Sequence, residues 1–126
     1  RLVSVQALLD KCRRDVAGCD IVAFGDYQSL LILRSSQDCH IRREALDTLC
    51  SEAAGGFTKL DAIACSTAEN KPLRTFGSFT GGCTKAFARS RNGEGEFICI
   101  SGTFATPVLE VLGVARQTLL KIEASV

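Results

Sequence analysis

The chain has 126 residues, the length of one domain, and its 15 Lys and Arg against 14 Asp and Glu leave a formal charge of +1. A balance this even gives no electrostatic pull towards nucleic acid or an anionic membrane. With 46% hydrophobic and 23% charged residues, the composition excludes disorder and supports a core that needs neither disulfide nor metal.

Ser4 is a good helix cap, and Val5, Leu8, Leu9, Cys12 and Val16 follow at helical spacing up to Gly18, which is expected to end the helix. Ile21-Val22-Ala23-Phe24 and Leu30-Leu31-Ile32-Leu33 flank the turn cluster Gly25 to Ser29 and predict a hairpin. Both runs are apolar throughout, so both faces of these strands are expected to be covered. From Asp38 or Cys39 the period returns to helical, with Leu46, Leu49, Ala53, Phe57 and Leu60 in one stripe. Gly55-Gly56 interrupts it. Two adjacent helical glycines cost on the order of 2 kcal/mol against alanine. Either the helix breaks there or a neighbouring backbone comes close, and the stripe running on through Phe57, Leu60 and Ala64 favours close approach.

Three strands are predicted next, Leu73 to Phe79, Thr84 to Arg89 and Glu96 to Ser101, with hairpin signals at Gly81-Gly82 and Asn92-Gly93. Thr75, Gly77 and Thr80 thin out the first of these, which suits a sheet margin. Thr106 as cap and Pro107 at the first helical position open a last helix through Ile122. The expected fold is α/β of the α+β type, a five-stranded antiparallel sheet with three helices in the order α-β-β-α-β-β-β-α. Residues 1–126 form a single unit.

Catalytic constellations are scarce. The seven cysteines form an odd set without zinc-knuckle spacing, which fits reduced apolar fillers in a cytoplasmic protein. Cys39 at a helix start is the best candidate for a reactive thiol, but neighbouring His40 points about 100° away and makes a poor dyad. Gly93-Glu94-Gly95 joins two strands and reads as a turn. No catalytic, metal or cofactor residue is assigned, and a non-enzymatic chain is expected.

The surface is more informative. The second helix is apolar over a wide arc, Ala45, Leu46, Leu49, Cys50, Ala53, Ala54 and Phe57, and the strand from Leu73 has no blocking charge beyond Arg74. An isologous dimer would satisfy both. A small-ligand sensor of PAS or GAF type and a cysteine-based redox protein are the alternatives. Nucleic-acid binding and membrane insertion are not expected.

The segments Asp20 to Asp26 with Leu30 to Leu33, the small-residue helix Ala45 to Phe57, and Glu96 to Ile100 running into the Thr106-Pro107 helix carry a resemblance. In element order the chain resembles the roadblock (dynein light chain) domains, a profilin-like sandwich. That resemblance implies a homodimer through the second helix and third strand, serving as a scaffold or regulator of a small Ras-like GTPase or of a motor or signalling complex. Carried over, the dimer surface comprises Leu46, Leu49, Ala53, Gly56 and Phe57 with Arg74, Thr75, Phe76 and Gly77. The implied partners are a second copy, another roadblock-like subunit or a small GTPase, with no cofactor.

Overall fold

The structure is a computed structural model that describes residues 4–37, 42–65, 73–91 and 94–125. Its elements are α1 (Val5–Asp15), β1 (Cys19–Asp26), β2 (Leu31–Ser35), α2 (Arg43–Cys65), β3 (Thr75–Thr80), β4 (Cys83–Arg89), β5 (Glu96–Gly102) and α3 (Val108–Ala124). The five strands form one antiparallel sheet in the order β2-β1-β5-β4-β3. The expected sequence of three helices and five strands is therefore the observed one.

Local chemistry explains most boundaries. The Ser4 hydroxyl accepts the Ala7 amide at 3.1 Å and caps α1, which buries Leu8, Leu9 and Cys12. The helix stops at Asp15, and Gly18 turns the chain beyond it with φ +85°, where a Cβ would lie 2.0 Å from the Thr103 carbonyl oxygen. Gly81 and Gly82, at φ +60° and +77°, make the two-residue turn between β3 and β4 that their sequence predicts. One detail differs. Pro107 occupies the N-cap of α3, without a side-chain cap bond, so Thr106 does not cap; the Pro107 carbonyl accepts the Glu110 and Val111 amides.

The sheet is sandwiched. Strand alternation sends Val22, Phe24, Ala86, Ala88, Ile98 and Ile100 towards α1 and α3, while Ala23, Phe87, Phe97 and Cys99 face α2. Buried on both sides, β1, β4 and β5 carry the core. β2 departs from expectation. It is a margin of the sheet, and Leu31 and Leu33 are half exposed because only Ile32 packs beneath α2. An apolar run alone does not separate a central strand from a marginal one.

Candidate functional site

The other margin is β3. Among the described residues it pairs only with β4, in an unbroken register from Thr75 opposite Ala88 to Thr80 opposite Cys83. Its outer side leaves backbone amides and carbonyls unpaired in the sheet, and no charged residue lies between Thr75 and Thr80. Beside it runs a groove of about 460 Å³ between β3 and α2, with Gly55, Gly56, Lys59, Phe76, Gly77 and Ser78 among its walls.

Helix and strand approach closely because Gly56 has no side chain: a Cβ there would lie 2.1 Å from the Phe76 ring. Phe76 cannot yield, being stacked on Phe87 at 4.5 Å and set edge-on to Phe57 at 5.0 Å. The helix runs on unbroken through the paired glycines, but no neighbouring backbone approaches them, and what stands against Gly56 is a ring of its own chain. Gly55 is different: nothing lies within 4 Å of a Cβ at that position.

Two polar contacts fix this geometry. Arg89, at the end of β4, has a side chain only 8% exposed. It donates to the Leu73 carbonyl from Nε at 2.9 Å and from Nη2 at 2.5 Å. It also donates to Asp61 on α2 at 2.6 and 3.3 Å, and its guanidinium lies 4.9 Å from the Phe57 ring centre. Arg89 therefore ties the far half of α2 to the start of β3. Hydrogen bonding from that guanidinium also holds the Asp61 carboxyl below its usual range. Lys85 on β4 donates to Glu52 Oε1 on α2 at 2.5 Å, while the buried Glu52 Oε2 has no partner among the described residues. Neither arginine nor lysine was singled out from sequence. The available signal was a charge inside each of two otherwise weakly polar strand positions, Lys85 and Arg89 within β4.

The residues expected at a dimer surface separate into two groups. Leu49, Ala53 and Phe57 are buried against the sheet of their own chain, with exposures of 4%, 0% and 0%. Their side chains hold α2 against the sheet of its own chain, as a helix lying on a sheet shows its apolar stripe inward. Leu46 is half-buried against the same cluster. Gly56, Phe76 and Gly77 line the groove, and Arg74 and Thr75 lie at the start of the free margin.

Other candidates recede. Cys39, His40, Asn92 and Gly93 lie outside the described residues, and Gly95 occupies a turn at φ +90°. Burial raises the thiols of Cys12, Cys50 and Cys99, and pushes Cys19 up to about 12, the opposite of what a nucleophile needs. Among the described residues no group of His, Cys, Asp and Glu could hold a metal ion, and no helix is long and apolar enough to cross a membrane. A second hollow, about 480 Å³, is walled by α1 and α3 alone.

No family model matches the sequence, and no curated protein matches it. Solved structures do. A Roadblock/LC7 domain from Streptomyces avermitilis superposes with a TM-score of 0.77 at 7% identity, over 97% of each chain. MglB of Myxococcus xanthus gives 0.71 at 15% identity, over 97% of this chain and 96% of that one. Profilin from Schizosaccharomyces pombe gives 0.60 at 10% identity, over 96% and 98%. The fold is roadblock-like, within the wider profilin-like class.

Proposed function

We propose that this chain is a non-enzymatic interaction module that pairs with a second copy through α2 and β3, and that the pair serves as a scaffold or regulator for a small Ras-like GTPase. The observation that carries the self-pairing is the margin of β3, an open and uninterrupted backbone ladder beside a groove floored by glycine. An isologous pair joins two such margins into one sheet and covers both grooves. The surface it uses consists of Gly55, Gly56 and Lys59 on α2 with the backbone of Arg74, Thr75, Phe76 and Gly77, held by the inward Leu46, Leu49, Ala53 and Phe57. The GTPase assignment rests on the roadblock-like fold, and a fold is shared by many functions.

Light scattering after size exclusion tests the pairing. A mass near twice the 13.5 kDa of one chain is expected, and a mass of one chain at high concentration removes the proposal. For the partner, the purified pair is used as bait in its native lysate, with the captured proteins tested for guanine-nucleotide binding. Capture that depends on the bound nucleotide is the expected outcome.

A further inference from the structure

We propose that Arg74, Arg91 and Arg116 hold a phosphate monoester, the doubly charged group of a phosphorylated serine or threonine on a partner protein. This site stands apart from the groove between α2 and β3 and needs no second copy of the chain. Arg74, Arg89, Arg91 and Arg116 line a small surface hollow, and Glu123 is the one carboxylate among its walls. Four of the chain's ten arginines thus meet where β3 begins, β4 ends and α3 passes, and no lysine joins them. Backbone hydrogen bonds fix the chain here: the Arg89 amide donates to the Arg74 carbonyl, and the Ser90 amide, just before Arg91, donates to the Glu96 carbonyl, each at 2.9 Å.

Charge decides which anion fits. Arg89 is already engaged by Asp61 and the Leu73 carbonyl, and its ion pair is neutral as a unit. Arg74, Arg91 and Arg116 have no ion pair and no side-chain hydrogen bond among the described residues. Three guanidinium groups less the Glu123 carboxylate leave a charge of +2 to be answered. A phosphate monoester carries about −2 near neutral pH, whereas a carboxylate or a phosphate diester carries a single charge. The guanidinium fork also takes phosphate oxygens two at a time, which a lysine does not. Nearby Glu96 makes no use of these arginines: burial and the carboxylates of Glu94, Glu123 and Asp26 raise it, and no arginine lowers it. Size decides the rest. The hollow is about 20 Å³, room to seat one oxygen of the group while the exposed Arg91 and Arg116 hold the others, and no base or sugar ring fits.

The test titrates the full chain at about pH 8 with N-acetyl-phosphoserine amide, dimethyl phosphate and inorganic phosphate, following the arginine Nε–H signals by NMR. Saturable shifts at Arg74, Arg91 and Arg116 are expected with the monoester, which should bind about tenfold tighter than dimethyl phosphate. Arg116→Gln, on an exposed position of α3, should keep the fold and weaken the monoester by about tenfold. Glu123→Gln should tighten it by about threefold, a gain that a merely structural role would not produce. Dimethyl phosphate binding as tightly as the monoester marks a site for the diesters of lipid or nucleic acid and overturns the proposal. Inorganic phosphate binding about tenfold tighter than the monoester overturns it too, since the hollow then suits the free ion. So does the absence of saturation, an Arg116→Gln chain that binds like the parent, or a Glu123→Gln chain that binds no tighter.

Discussion

The two margins of the sheet are built from opposite materials. β2 is the more apolar, Leu-Ile-Leu-Arg-Ser, yet its ladder with β1 is broken by a register shift between Phe24 and Gly25 that leaves Leu33 unpaired. The residue that leads into it, Leu30, sits at φ +60°, a left-handed conformation that a leucine adopts at a cost. β3 is the more polar, Thr-Phe-Gly-Ser-Phe-Thr, and its ladder is regular from end to end. Bulges twist a margin out of reach, and β2 has one while β3 has none. The capacity to take another strand thus lies in the regularity of the backbone and is not measured by how oily the side chains are.

Substitutions that loosen the β3 margin should cost far more than those at β2. Arg89→Ala is expected to have the largest effect, roughly 2–4 kcal/mol, because it strands the Leu73 carbonyl and releases α2 from the start of β3. Urea unfolding followed by circular dichroism would show it as a lower midpoint. Next comes Gly56→Ala, at about 1–3 kcal/mol, since the new methyl collides with a ring that two other rings hold in place. Its neighbour provides the contrast: Gly55→Ala should leave the dilute monomer unchanged or more stable by up to ~1 kcal/mol. At the other margin, Leu33→Ser is expected to stay within about 0.5 kcal/mol of the parent, because half of that side chain is already in water.

The smallest effect is one of pH. Arg89 depresses the Asp61 carboxyl, so this pair stabilises the fold above the unfolded value near ~4 and the contribution fades as pH falls through the lower folded value. Asp61 is more than half exposed, which keeps the contribution small. Asp61→Asn should flatten the acid limb of a stability profile below about pH 4 and leave neutral-pH behaviour of the β2 margin untouched. A profile unchanged by that substitution would mean that the Leu73 carbonyl, the Tyr27 hydroxyl and the Phe57 ring hold Arg89 without help from Asp61.

Much of this was legible in the residues. Ser4, Gly81-Gly82 and the helical stripes located elements, because capping, left-handed turns and side-chain periodicity are local rules. The thin composition of Thr75, Gly77 and Thr80 pointed to the margin where β3 lies. One reading failed. Leu31 and Leu33 were expected inside and are half exposed, whereas the stripe of Leu49, Ala53 and Phe57 lies buried against its own sheet. Periodicity reports that a stripe is apolar and says nothing about which surface it meets.

The order of elements and the run of α2 through Gly55-Gly56 were determined by the sequence alone, since each follows from residues near one another in the chain. Tertiary structure alone decided that Phe76 is what Gly56 makes room for, that Arg89 joins Asp61 to Leu73, and that Gly55 is left facing open space. These contacts join residues 16 to 28 positions apart, and such pairings depend on how the helix is laid across the sheet, which no local rule contains.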